Sequence, residues 1–165
     1  MKIIPCDRAA AVKYARAWAL DRNPAYADFS EMGGDCTNFI SQTLFAGSGS
    51  MNESKELGWY YHSLQRRAPA WTAVPLLYNF LTKNKGPGPF GHEAPLDQAE
   101  PGDVIQLKFA DAVDYGHSLL VLETGRPPAP ENILIAAHSI DSLNRPLNTY
   151  SYVSARLIKI DGVRV

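Results

Sequence analysis

Cys36 is the residue whose type and position best suit nucleophilic catalysis. It follows Gly33, Gly34 and Asp35, and it begins a segment predicted to be helical over about 36–46, with Asp35 as the N-cap. The first turn of a helix offers unpaired N–H groups and the positive end of the helix dipole, which favour the thiolate. The Asp35 carboxylate opposes this by like-charge repulsion, while the two glycines let a substrate chain approach closely. Cys36 is therefore a candidate nucleophile, and a buried inert cysteine is the alternative.

His117 is the candidate base for this nucleophile. It begins the apolar segment HSLLVLET directly after a glycine, a position that we expect to be accessible. The next apolar segment, 132–137, is predicted to pair with it antiparallel, which places His117 opposite residue 139 to within about two positions. The polar groups in reach are then His138, Ser139 and, slightly further, Asp141. A nucleophile, a base and a polar orienting group in this chain order are the arrangement that papain-like enzymes use.

Elements that could position these residues follow from hydrophobic periodicity. Helical spacing dominates the first half of the chain, and alternation dominates the second half. Helices first and strands later predict an α+β fold, with N-terminal helices packed on a C-terminal antiparallel sheet in a single domain over 1–165. The predicted helices span about 7–23, 36–46 and 71–83, and the predicted strands span 103–109, 117–124, 132–137 and 150–160.

Composition excludes several classes of partner. With 16 Lys plus Arg against 17 Asp plus Glu, the net charge is −1, so the attraction that drives non-specific nucleic-acid binding has no source. No apolar run approaches the roughly 18 residues of a membrane span, and the first residues contain no signal-peptide core. We expect a soluble chain without nucleic-acid or membrane partners, either cytoplasmic or exported with its signal removed.

Metal-binding patterns are missing from the sequence. It has neither a C-x-x-C nor an H-E-x-x-H motif, and its four histidines are scattered. Cys6 lies at the entry to the first predicted helix and is interpreted as structural. We expect no metal and no other cofactor.

An aromatic cluster precedes the third predicted helix. Trp59, Tyr60 and Trp71 come from polar surroundings, so we interpret Trp59 and Trp71 as candidate walls of a peptide-binding cleft. Packing under a long loop is the alternative.

Several segments together resemble a known family. They are GGDCTNFISQ at 33–42, WYY at 59–61, PGDVIQ at 101–106, GHS at 116–118 and AHSID at 137–141. In this order they resemble the putative amidase domain family, a bacterial branch of the papain-like group that includes NlpC-type and CHAP cell-wall hydrolases. The resemblance implies that Cys36 is the nucleophile, His117 the general base and His138 the third catalytic residue, with Asp141 as the alternative. It also implies hydrolysis of an amide or peptide bond, with cell-wall peptides the commonest substrates of the group.

The chemistry expected from these residues is acyl transfer through a thioester. His117 would take the proton of Cys36 and pass it to the leaving amine, and water would release the acyl group. The Cys36 backbone N–H would stabilise the oxyanion, with Gly34 and Asp35 beside the substrate. The expected partners are therefore a peptide or amide substrate, peptidoglycan fragments included. Two alternatives remain open: a catalytically silent module that binds a peptide or wall ligand, and an acyltransferase with the same thiol.

Overall fold

Three α-helices pack on a seven-stranded antiparallel sheet in the computed structural model, which describes residues 1–165. This architecture confirms the α+β prediction. The helices are α1 (Arg8–Trp18), α2 (Cys36–Ser48) and α3 (Val74–Lys83), and single 3₁₀ turns occur at Pro69–Trp71, Leu96–Gln98 and Leu147–Thr149. No helix has the length and apolar character needed to cross a bilayer.

The sheet is organised around its last strand. Its strands are β1 (Ile3–Ile4), β2 (Gly88–Ala94), β3 (Val104–Lys108), β4 (His117–Glu123), β5 (Leu134–Ala137), β6 (Ser142–Pro146) and β7 (Ser154–Arg164). Strand β7 pairs with β2 along one edge and with β3 and β1 along the other, and β4, β5 and β6 follow β3 in that order. Every pairing is antiparallel.

The pairing of β4 with β5 has the register that the sequence predicted. Leu120 lies opposite Ala136, and Val121 lies opposite Ile135. Ordered pairing stops before the start of β4, because the chain turns sharply after β5 through Ser139 and Ile140, which both have positive φ. The first residues of β4 therefore have no β5 neighbour, and α2 begins beside this gap in the ladder.

The two faces of the sheet bury two separate cores. One face, which includes Val104, Leu120 and Ile158, packs against the helices. The opposite face, which includes Leu107 and Leu119, packs against the loops that surround β3 and β6. Because side chains alternate along a strand, neighbouring residues of β4 contribute to different cores.

Strands β1, β2 and β6 were not predicted from the sequence. The β2 segment GPFGHEA contains glycine and proline, which are depleted in strands, but β2 is an edge strand that accepts proline. Its register shifts between Phe90 and Gly91, and a Cβ on Gly91 would lie 1.9 Å from the Lys159 carbonyl oxygen. Glycine at this position therefore allows the bulge.

The helix boundaries differ from the predicted ones at two places. Helix α1 ends at Trp18, several residues before Pro24, and Asn23 forms a separate turn by accepting a hydrogen bond from the Ala25 N–H at 2.9 Å. Helix α3 begins at Val74, because Trp71, the first residue of the predicted helix, is the last residue of a separate 3₁₀ turn over Pro69–Trp71.

Candidate active site

Cys36 is the first residue of α2, as predicted, and it lies against the start of β4. The residue is 8% exposed. Its sulfur is 3.8 Å from the Thr37 hydroxyl oxygen, and the Ser118 backbone N–H faces the thiol. The Thr37 and Ser118 hydroxyl groups are themselves 3.0 Å apart, so the helix start is joined to the strand start. The thiol is thus placed beside the residue that follows His117.

Burial determines the charge state of this thiol. It raises the pKa of the Cys36 thiol above its ordinary value, and the hydrogen bonds from the Ser118 backbone and from Thr37 oppose that rise only in part. The Asp35 charge raises the pKa further. The helix N-terminus therefore does not produce a thiolate here, and the resting form is the neutral thiol.

Asp35 is at the predicted N-cap position, but its carboxylate does not cap the helix. One oxygen accepts hydrogen bonds from the Phe29 backbone N–H and the Asn38 side-chain amide, both at 2.8 Å. The other oxygen lies 2.5 Å from His138 Nδ1. With 1% exposure, Asp35 holds the loop before Cys36 in place and forms no wall of an open cleft.

His138 does not contact His117, so the predicted orienting contact is wrong. Its Nδ1 faces Asp35, its Nε2 lies 2.8 Å from the Trp18 carbonyl oxygen, and its ring stacks on Phe39 with centroids 4.0 Å apart. The cause is strand alternation, because the register carries His138 to the helix-facing side of the sheet while His117 faces the opposite side.

Asp141, the alternative third residue, does not bond to His117 either. Its two carboxylate oxygens accept hydrogen bonds from the Arg22 guanidinium at 2.9 and 3.0 Å. Arg22 also lies 3.6 Å from the Asp35 carboxylate, so both predicted orienting residues belong to one polar network behind Cys36.

His117 begins β4, as predicted, but it is buried and only 6% exposed. It lies opposite Leu107 on the face away from the helices. Its ring centroid is 6.5 Å from that of Phe109 and 5.5 Å from that of Tyr150. Burial, together with the positive charge of Arg145, lowers the pKa of His117 to about 4. The imidazole is therefore neutral near pH 7 and able to accept a proton.

The structure thus places Cys36 and His117, the predicted nucleophile and base, at the same end of β4, with His117 on the face of the sheet away from α2 and no hydrogen bond between the two side chains. Cys36 contacts Ser118, and His117 is the residue before it in the strand. Catalytic hydrogen bonds in unliganded enzymes are often long and tighten only when substrate binds. In the resting protein both groups are neutral, because burial raises the pKa of the Cys36 thiol and lowers the pKa of His117 to about 4.

The two tryptophans do not line a cleft, which corrects the prediction. Trp59 and Trp71 are both fully buried in the helix-facing core, with ring centroids 4.8 Å apart. The Trp59 indole N–H donates to Ser41 at 2.9 Å, and the Trp71 indole N–H donates to Asn38 at 3.0 Å. They support α2 from within the core.

Gly34 lies close to the turn that follows β5. Its φ of 110° belongs to the region that favours glycine, and a Cβ here would lie 3.4 Å from the Ser139 hydroxyl oxygen. That hydroxyl accepts a hydrogen bond from the Asp35 backbone N–H at 3.3 Å. This contact fixes the loop that leads into Cys36.

The sequence did not indicate a series of hydrogen-bonded polar side chains on the helix-facing side of the sheet. The Arg156 guanidinium donates to Gln106 Oε1 at 2.6 Å, and Gln106 Nε2 donates to the Ser118 hydroxyl at 3.3 Å. This series of side chains continues through Thr37 to the Cys36 thiol. Gln106 and Ser118 both belong to motifs noted in the sequence, but only strand pairing shows that they lie opposite each other.

The cysteines and the acidic groups show no further site. Cys6 and Cys36 are both free thiols. No group of three or more histidine, cysteine, aspartate or glutamate side chains is arranged to hold a metal ion.

Comparison with known proteins identifies the family. The chain is 31% identical over 141 residues to the uncharacterized protein YhbB of Bacillus subtilis (strain 168), an alignment that covers 84% of this chain and 43% of that protein. The chain thus spans less than half the length of this relative. No solved structure matches it. The family model described as a putative amidase domain matches residues 5–160, and the chain therefore belongs to the putative amidase domain family.

Proposed function

We propose that this protein hydrolyses an amide or peptide bond, with Cys36 as the nucleophile and His117 as the general base. Membership of the putative amidase domain family supports amide hydrolysis. The observation that supports the cysteine mechanism is the position of Cys36 at the first residue of α2, where the next residue, Thr37, bonds to the Ser118 hydroxyl at 3.0 Å and Ser118 directly follows the buried His117. A thiol that becomes nucleophilic only with an adjacent base needs this pairing.

The proposed reaction starts from the neutral pair. His117 accepts the thiol proton as the Cys36 sulfur attacks the substrate carbonyl carbon, which forms a tetrahedral intermediate with a negative oxygen. The backbone N–H of Cys36, at the positive end of α2, is the proposed donor to that oxygen. The imidazolium then gives its proton to the leaving amine, and a thioester remains on Cys36. Water, deprotonated by His117, hydrolyses the thioester and restores the thiol.

His138 has a different proposed role from the predicted one. Because it bonds to Asp35 and to the Trp18 carbonyl, we assign it as a positioning residue that holds the loop before Cys36. It acts on the thiol through Asp35 and not on the tautomer of His117.

The group of amidases to which this protein belongs is a second part of the proposal. The cysteine at the start of a buried helix and the histidine at the start of a later strand support one assignment, because papain-like hydrolases use a Cys and a His of this kind as nucleophile and base. We therefore propose a papain-like enzyme related to the NlpC-type and CHAP groups, with cell-wall peptides as the first substrates to test.

The test is product release from peptidoglycan fragments and simple acyl amides, followed by mass spectrometry in ¹⁸O-labelled water. The wild-type protein should release a free amine together with an acid that carries one labelled oxygen. Cys36→Ala should lower the rate by at least about 10³-fold, because the nucleophile is lost. Cys6→Ser is the matched control, since Cys6 is the other free cysteine, and it should retain the activity. Full activity in Cys36→Ala would show that the proposed mechanism is wrong.

A further inference from the structure

Arg145 is hydrogen-bonded to Thr149 on the same face of the sheet as His117, and it has no acidic partner. Its Nε donates to the Thr149 hydroxyl at 2.7 Å and its Nη2 donates to the Thr149 carbonyl oxygen at 3.2 Å, while its Nη1 bonds to no protein group. The guanidinium carbon lies 3.6 Å from the centroid of the Tyr150 ring. Thr149 is itself fixed, because its hydroxyl donates to the Pro146 carbonyl oxygen at 2.7 Å.

Some half-buried arginines of this chain are matched to carboxylates, whereas four others, Arg67, Arg145, Arg156 and Arg164, have no acidic partner. Arg8 pairs with Asp103 at 2.8 Å and Arg22 pairs with Asp141 at 2.9 Å, whereas no ion pair includes Arg145. A guanidinium that is fixed in position and left with one free amino group is prepared to bind a planar anion. Carboxylate is the commonest such anion on a peptide.

Arg145 lies on the same side of the sheet as His117 of the candidate active site. Arg145 lies on β6, directly opposite Ile135 of β5. Because Ile135 belongs to the core on the face away from the helices, Arg145 projects from the same face of the sheet as His117. Strand β6 is two strands from β4, which corresponds to about 10 Å across the sheet. The Tyr150 ring lies between the two side chains, in contact with the guanidinium and 5.5 Å from the imidazole centroid.

We propose that Arg145 binds an acidic group of the substrate next to the scissile amide. The proposal rests on the proposed function for its chemistry, and it names the substrate class as amides or peptides with a carboxylate on the residue adjacent to that bond. A distance of about 10 Å from the base corresponds to the reach of one side chain from the reacting carbonyl.

Electrostatics would connect this binding to the base. The Arg145 charge lowers the pKa of His117, after burial as the larger cause. A carboxylate on Arg145 would cancel part of this effect, so an acidic substrate would make His117 a stronger base than a neutral one would.

The test compares substrates that differ only in this charge. Two matched pairs of N-acetylated anilides or dipeptides would carry glutamate or glutamine, one pair on the acyl side and the other on the amine side of the scissile bond. The wild-type protein should favour glutamate in kcat/KM by about tenfold in at least one pair, as expected for a charge-assisted hydrogen bond. Arg145→Gln should abolish the preference. Arg126→Gln, which removes an exposed arginine outside every ion pair, should keep it.

A binding measurement separates this inference from the proposed function. Isothermal titration of Cys36→Ala with the same glutamate and glutamine compounds requires no turnover, and it should show the glutamate preference, which Cys36→Ala/Arg145→Gln should lack. Preferential binding without hydrolysis by the wild-type protein would support the anion site and overturn the proposed reaction. Hydrolysis with equal kcat/KM in both pairs, or a preference that survives Arg145→Gln, would overturn the role of Arg145.

Discussion

The buried state of His117 predicts how the stability of this protein depends on pH. In the folded protein the imidazole stays neutral until about pH 4, whereas in the unfolded chain it takes up a proton near its ordinary value of 6.5. Between these values the unfolded chain binds more protons than the folded one, so a fall in pH favours unfolding. We expect the free energy of unfolding to begin falling below pH 6.5, and we expect the contribution of His117 to be lost completely near pH 4.

The magnitude follows from the size of the pKa shift. Each pKa unit corresponds to about 1.4 kcal/mol, so the lowering of the pKa of His117 from 6.5 to about 4 amounts to about 3 to 4 kcal/mol of unfolding free energy. Carboxylates that titrate in the same range add their own contributions. The quantity to compare is therefore the difference in pH dependence between the wild-type protein and His117→Gln, which has no titrating group at this position.

The assay is urea unfolding followed by tryptophan fluorescence at pH 7, 5.5 and 4.5. Whatever the stability of His117→Gln at pH 7, its free energy of unfolding should fall less steeply with pH than that of the wild-type protein, by about 2 to 3 kcal/mol in total. Arg145→Gln should give an intermediate dependence, because it removes the smaller of the two causes of the shift. Parallel pH dependences for the wild-type protein and His117→Gln would refute the assignment of His117 as a buried neutral base.

Three further predictions concern the residues around the nucleophile. In a Cys6→Ser background, the rate of iodoacetamide modification at Cys36 should keep rising beyond pH 9, because burial raises the pKa of the thiol; a plateau below pH 7 would instead indicate a preformed ion pair. Asp35→Asn should lower the free energy of unfolding by about 3 kcal/mol, since it breaks a buried pair with His138, whereas Asp28→Asn at an exposed pair should cost less than about 1 kcal/mol. His138→Gln should lower the melting temperature and leave the acid limb of kcat/KM near pH 4, and a displaced limb would mean that His138 acts on the base after all.

The sequence was most informative where a local signal determines the structure. The helix start at Cys36 and the register of β4 against β5 were both predicted, because glycine turns and apolar alternation specify them locally. Strand β2 was not predicted, since its glycine and proline are compatible with an edge strand only when β7 lies alongside.

The contacts of the polar side chains could not be predicted from the sequence in the same way. A change of one position along a strand moves a side chain to the other face, so His117 and His138 diverge although their strands pair as expected. Asp35 looked like a cap, but tertiary partners for its carboxylate come from distant parts of the chain. The burial of Trp59 and Trp71 likewise depends on how α3 and its preceding turn close over α2.

The pairing of β1 with the end of β7 has a consequence for how the chain can be connected. Lys2 and Val165 exchange both of their backbone hydrogen bonds at 2.9 Å, so these two residues lie about 5.5 Å apart and their strands run in opposite directions. A linker of a few glycines could join them, and new ends could be opened in an exposed loop such as the one around Arg126. Such a circular permutant should keep the same fold, because the sheet needs β1 and β7 to be neighbours but does not need them to be the first and last strands of the chain.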